Sequence, residues 1–378
     1  MLWCTLDTDN LAELWVDLDG EHEGTEEAQR LLPPTSPAKA FSIRAVASAN
    51  IMDGFAHVLA EHGRPGSEAE ADRLFNLSFA SNSIDYFISH SWSAARVWKW
   101  AALADFYNRS AATALANIAW LALSLLGFLW RLQTERELQF AYSFIIFICL
   151  PSFLIVALTA LGHHLTPWLG SKVFLDRVCI HQWDEDLKED GVKSLGQVLW
   201  ASGKMMVLWS SDYFQRMWCF FEIAVFSHRK GPADMLFLPL WRTPMLYGLL
   251  LGSVCVTFVC AMAEQQAAFV PLLAAFGTAR GLGMHFMSVH VLPAGLICCV
   301  IRRSIREKRI LEKQLANFSV SNAQVSVSTD RDFIMGHIRH LFGGAEAFED
   351  FVRDELHRSV YEIVGAPWQV PFKYGAFG

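Results

Sequence analysis

Trp218 and Glu222 lie four residues apart in DYFQRMWCFFEIAVFSH (212–228), whose apolar spacing predicts a helix. Residues at i and i+4 share one helix face, so an indole stands beside a carboxylate. That pairing offers a stacking wall next to an anion. Ser211 or Asp212 is the expected helix cap, which puts Glu222 about three turns in. Ser89, His90 and Trp92, at the end of a short β-rich run IDYFISH (84–90), add a hydroxyl, an imidazole and a second indole. Two blander readings of Glu222 stay open: a solvated helix glutamate, or an ion pair with Arg177 or Arg216.

Other constellations carry less. Asp184-Glu185-Asp186 has the form of a metal-binding D-x-D but sits in a charged stretch that water solvates. His337 and His340 are three apart, with no acidic third ligand beside them, and read as surface helix residues. His285 and His290 fall in an apolar segment, where neutral packed histidines are the commoner outcome. Cys149, Cys255, Cys260, Cys298 and Cys299 also lie in apolar segments. Cys4, Cys179 and Cys219 are scattered, and no C-x-x-C occurs. Neither a disulfide framework, a zinc site nor another metal site is expected. The chain has no phosphate-binding Gly-rich loop, G-x-S-x-G elbow or H-E-x-x-H.

The elements that must position these residues alternate. Residues 1–40 are acidic and end in the proline-rich LLPPTSPAK. Phe41, Ala45, Ile51, Phe55, Val58 and Leu59 recur at helical spacing and predict a helix closed by GRPGS. IDYFISH predicts a strand and 93–107 a helix. KVFLDRVCI (172–180) predicts a second strand, then a loop HQWDEDLKEDG (181–191) and a helix 191–202. KMMVLWS (204–210) and ADMLFLPL (233–240) flank the helix 212–228 as further strands. Apolar strands alternating with helices predict a parallel sheet covered on both faces, with ligands beyond the carboxyl ends of the strands. VSNAQVSVS (320–328) is a candidate fifth strand, followed by helices over 330–342 and 345–364.

The order of these segments resembles a Toll/interleukin-1 receptor (TIR) domain. Phe87-Ile88-Ser89 resembles the first-strand box, and Phe174 and Asp176 the F-x-D of the second strand. Ser194-Leu195, Leu199 and Ser202 fall where the second helix sits. Ser210, Tyr213, Trp218, Cys219 and Glu222 match the most specific run, S-x-x-Y-…-W-C-x-x-E. The match covers about a third of the chain, 84–100 and 172–240, and is most similar to membrane-linked TIR-like proteins of single-celled algae such as dinoflagellates. It implies a flavodoxin-like parallel sheet and homotypic self-association of the domain. It also implies, as in some members, cleavage of NAD at the nicotinamide–ribose bond, NAD being a substrate and no cofactor being needed. The resemblance makes Glu222 the catalytic carboxylate and adds Asp176 to Ser89, His90, Trp92 and Trp218 as substrate-binding residues. A carboxylate there would stabilise the oxocarbenium charge on the ribose, as in glycosidases. The Arg-Gly common in the loop after the second strand of plant members is absent from 181–191.

Composition adds what the motifs do not. The 378 residues are 53% hydrophobic and only 18% charged, where about 25% charged is usual, so disorder is excluded for most of the chain. A net charge of −7 argues against a nucleic-acid partner. Residues 110–130, 138–171, 243–263 and 281–301 carry no Asp, Glu, Lys or Arg. About 20 such residues span a bilayer as a helix. Two transmembrane hairpins, 110–163 and 243–301, are therefore expected to interrupt the α/β domain. Ala267–Thr278 is either part of a span or a re-entrant segment. RRSIREKR (302–309), with Arg96 and Lys99 before the first span, places the soluble blocks and both termini in the cytosol. That basic run also suits anionic lipid headgroups. The acidic first twenty residues predict no secretory signal.

Overall fold

The computed structural model describes residues 43–60, 65–131, 149–165, 170–252, 254–255, 292–323 and 328–365. The architecture is mixed α/β around one sheet. Its strands are β1 (Arg44–Ala47), β2 (Phe79–Ala80), β3 (Ile84–His90), β4 (Lys172–Phe174), β5 (Ser202–Trp209) and β6 (Met235–Pro239). They lie in the order β2-β1-β4-β3-β5-β6. β4, β3, β5 and β6 run parallel, and β1 is antiparallel to both of its neighbours. β6 is buried along its whole length, and β5 from Met205 to Trp209. Such all-apolar strands fit only a sheet covered on both faces.

β3 and β4 pair although residues 91–171 intervene: Tyr86 lies opposite Val173 and Phe87 opposite Phe174. The rings of Phe87 and Phe174 stack at 5.2 Å between centroids. The sheet thus closes across the apolar helices as one unit, because parallel strands need a crossover of some length in any case.

The described helices are α1 (Ser48–Ala56), α2 (Glu68–Phe75), α3 (Arg96–Arg131), α4 (Leu150–Leu165), α5 (Glu185–Lys193), α6 (Leu195–Ala201), α7 (Met217–Lys230), α8 (Leu292–Ala316), α9 (Ser328–Phe342), α10 (Ala345–Phe351) and α11 (His357–Val364). A further helix runs over 242–252. α7 is buried on most sides, and α9 packs on it with His337 edge-on to Phe221 at 5.5 Å. Phe318, just past α8, meets Phe220 at 4.4 Å. The C-terminal helices therefore belong to the same core.

Several expectations need correction. Ala45 lies in β1, not in a helix, because β1 covers the free edge of β4 and Arg44 is fixed by Ser78 through bonds of 2.7 and 2.8 Å. Helical geometry in α1 breaks at Asp53, and Gly54, Phe55 and Ala56 have positive φ. The strand read as 172–180 stops at Phe174, where Asp176–Cys179 coils into one helical turn. The loop 181–191 contains the start of α5, capped by Asp184 Oδ1 accepting from the N–H groups of Asp186 and Leu187 at 3.0 Å each. The candidate strand at 320–328 is instead a 3₁₀ turn, Val320–Asn322, leading towards α9, with 324–327 outside the described residues. His337 is buried against Phe221 rather than on the surface.

The membrane segments also differ from the expected pair of hairpins. Among the described residues one helix, α3, is long and apolar enough to cross a bilayer, and α4 is apolar but shorter. Residues 132–148 and 256–291, which hold the first hairpin's link and much of the second hairpin, lie outside the described residues. α3 has two unlike halves. Ala102, Leu103 and Ala104 are buried in the α/β core, whereas Ile118, Leu125 and Phe128 are each more than 60% exposed. α3 and α4 are tied by Asn108 Nδ2 donating to the Thr159 carbonyl at 2.9 Å. Tyr247 Oη adds bonds to Asp105 at 2.8 Å and Thr159 at 3.1 Å.

Candidate functional site

A cleft of about 370 Å³ opens at the carboxyl ends of β3 and β4. His90, Trp92, Asp176, Trp218 and Glu222 all line it. Each reaches it for a local reason. β3 ends at His90 and turns outward at Trp92. β4 ends just before Asp176, the first residue of its helical turn. α7 begins at Met217, so Trp218 and Glu222 occupy its first two turns on one face. Neither Ser211 nor Asp212 caps α7, because a 3₁₀ turn (Tyr213–Gln215) intervenes and the cap position falls to Arg216.

Ser89, the sixth expected residue, does not line the cleft but reaches its carboxylate from behind. Its hydroxyl donates to Glu222 Oε2 and contacts Tyr213 Oη at 2.5 Å. A serine has one hydroxyl proton. With that proton on Glu222, Tyr213 is the donor to Ser89, and the chain runs Tyr213 to Ser89 to Glu222. The donor to Glu222 is thus a hydroxyl rather than a guanidinium. Arg177 turns elsewhere, to Glu70 at 3.8 Å and to the carbonyl of Ala60 at 3.3 Å.

The electrostatics follow from enclosure. Burial pushes the Glu222 carboxyl up to about 8; the Ser89 bond opposes this and the neighbouring Asp176 adds to it. Asp176 rises to about 6, chiefly by burial, against the pull of its bond from the Arg177 N–H and of the Lys99 and Arg177 charges. His90 is held well below its usual range by burial and by the same two cations. Its Nε2 is buried with no hydrogen-bond partner among the described residues, and its ring sits 5.2 Å from that of Trp92. Burial thus favours a protonated Glu222 and a neutral imidazole, set in the cleft beside two indoles.

Gln182 and Lys188 also line the cleft and were not anticipated, as do Arg216, weighed only as an ion-pair partner of Glu222, and Cys219, known only from the W-C run. Lys188 was hidden because α5 reads as a loop in sequence. Tyr213 was visible as the tyrosine of the S-x-x-Y run but carried no assigned task. Among the described residues no group of three or more His, Cys, Asp or Glu side chains is placed to hold a metal ion. Comparison with family models, with curated proteins and with solved structures matches none of them to this chain.

Proposed function

We propose that the protein is a membrane-anchored, TIR-type signalling enzyme that cleaves NAD at the nicotinamide–ribose bond. The observation that carries this reading is the seat of Glu222: a carboxyl enclosed at the carboxyl edge of a parallel sheet, beside Trp218 and on a hydroxyl chain from Tyr213. Counted from β3, the parallel strands stand in the order 2-1-3-4, which is that of flavodoxin-like folds, whose ligands bind where strand order reverses.

The chemistry assigns each group a task. The nicotinamide–ribose bond breaks with its electron pair leaving on nicotinamide, which departs neutral. Positive charge then develops on the ribose, and the Glu222 carboxylate stabilises it. Water adds to the ribose carbon and loses a proton, giving ADP-ribose. The nicotinamide ring of NAD is itself cationic, so its arrival favours the ionised form of Glu222 that burial disfavours. Trp92 and Trp218 offer faces for stacking such a ring.

Membrane anchoring rests on the exposed apolar half of α3. A contiguous surface of this kind marks a membrane or partner site rather than a soluble face. We assign the exposed half of α3, α4, the helix over 242–252 and the apolar start of α8 to the bilayer, with the sheet and both termini in the cytosol. The full chain should resist alkaline carbonate extraction from membranes; release into the supernatant would count against this.

The second reading is a non-catalytic module that self-associates at the membrane. The neutral state of Glu222 at rest favours it, because an uncharged carboxyl stabilises no cation. Nicotinamide release by the full chain in membrane mimics at high density separates the two. Release from wild type and its loss in Glu222→Gln supports the enzyme. No release from folded wild type, or equal release from both forms, leaves the self-associating module.

A further inference from the structure

A second cavity, of about 510 Å³, opens at the carboxyl ends of β5 and β6, on the other side of the segment that follows β3. Its volume falls within the roughly 300–1,000 Å³ usual for small-molecule sites. Three indoles (Trp98, Trp209, Trp241), two carboxylates (Asp212, Glu307) and one guanidinium (Arg303) supply most of its chemistry. None of these was singled out with the Glu222 cleft.

The lining asks for two opposite charges at once. Trp209 and Trp241 help wall the cavity and are more than nine-tenths buried. Arg303, exposed on the basic run of α8, adds a fixed positive charge suited to phosphate. Asp212 and Glu307 would repel a simple anion. Together with indole faces, they instead suit an ammonium group, which aromatic rings and carboxylates recognise jointly. Asp212 is available in ionised form: burial alone would raise its titration, but the hydroxyls of Ser210, Ser91 and Ser93 outweigh it and hold it low.

Position supplies the source. Arg303 and Glu307 lie on α8 directly after its apolar start, and Pro244 and Met245, at the head of the uncharged run 243–263, also line the cavity. Gln314 of α8 donates to the Ser211 carbonyl, fixing the helix to the loop that carries Asp212. We propose that this cavity is a binding site for a phosphate–ammonium headgroup of the choline or ethanolamine type, drawn from the surrounding bilayer. The site itself stands independently of NAD cleavage; only the source of its ligand rests on the membrane reading above.

The test uses the full chain in dodecyl maltoside micelles, with binding read by tryptophan fluorescence and by ³¹P line broadening. Soluble glycerophosphocholine should bind saturably. Arg303→Gln and Glu307→Gln should each weaken it by about tenfold, the worth of one charge-assisted contact, with melting temperatures kept as the check on folding. Inorganic phosphate alone and choline alone should bind at least about tenfold more weakly. Absence of saturable binding, unchanged affinity in both variants, or phosphate binding as tightly as glycerophosphocholine would overturn the site. Nanodiscs then identify the source. In phosphatidylcholine discs the site should be filled already and the soluble probe should not titrate, whereas in phosphatidylglycerol discs it should. Equal titration in both discs would overturn the bilayer as donor.

Discussion

Glu222 and Asp212 both take hydrogen bonds from serines at or just past the end of β3, yet they titrate in opposite directions. Glu222 receives one hydroxyl, from Ser89, and burial carries it up to about 8. Asp212 receives three, from Ser91 at 2.5 Å, from Ser93, and from Ser210 at 2.6 Å, and is held below the usual carboxylate range. Desolvation is the largest influence on each. Glu222 is also the more deeply enclosed, so depth of burial and number of donors together decide which carboxyl stays charged. One strand end thus borders a cleft with a neutral acid and a cavity with an ionised one, and the first can change state when a cation arrives.

Removing donors from Asp212 should have the largest effect on stability. Ser91→Ala/Ser93→Ala leaves a half-buried carboxylate with Ser210 alone, and hydrogen bonds to charged groups are worth about 1.5–3 kcal/mol each. Two such bonds, discounted because water reaches the half-exposed site, should cost about 2–4 kcal/mol at pH 7, read as a lower melting temperature of the full chain in micelles. The sign with pH is fixed. A depressed carboxyl contributes stability above its unfolded titration point, near 4, and loses it as pH falls through its folded value. The gap between wild type and variant should therefore narrow in acid. An equally wide gap at pH 3 would refute the three-donor account.

Glu222 predicts the opposite slope. Its folded value, about 8 against a usual 4.5, means that the native state holds a proton the unfolded chain has released. Its contribution is fully present below the unfolded value and fades as pH rises towards 8. Wild type should therefore lose melting temperature between pH 5 and 8, and Glu222→Gln, neutral throughout, should lose less. Parallel curves for the two proteins would show that Glu222 is not what titrates. Asp176, at about 6, contributes the same sign over a lower range and persists in the variant.

What the sequence revealed of this edge depended on how far each residue's partner lay along the chain. Trp218 and Glu222 share a face by local periodicity, so their meeting was legible. His90 and Trp92 were legible as a strand end, since an α/β sheet gathers such ends on one side, whereas Asp176 lay inside the strand read over 172–180 and entered only through the F-x-D resemblance. The start of α7 was not. Asp212 has the chemistry of a cap, but its carboxylate is claimed by Ser91 and Ser93, which nothing local announces. β1 was hidden similarly: Ala45 satisfies a helical period, and the β4 edge that β1 covers lies beyond residue 170. The second cavity escaped because Trp98, Trp241 and Arg303 come from three separated segments, each of which reads as the flank of an apolar helix.

The smallest expected effects concern the hydroxyl chain itself. Ser89→Ala removes the donor that lowers Glu222, so the Glu222 titration should move upward and the melting-temperature loss should shift to higher pH. If the cleft cleaves NAD, its rate at pH 7 should fall about tenfold or more, because a bond to the ionised carboxylate is lost. Tyr213→Phe leaves Ser89 in place and removes only the second bond in the chain, between two neutral groups. Bonds of that kind are worth about 0.5–1.5 kcal/mol, so the rate should fall only about two- to tenfold. The order of the two variants is the informative result. Since Ser89 has one proton and gives it to Glu222, Tyr213 can act only by strengthening that donation, and its loss cannot exceed the loss of Ser89. A Tyr213→Phe variant that folds, melts like wild type and yet loses more activity than Ser89→Ala would place Tyr213 in contact with substrate and reverse the chain.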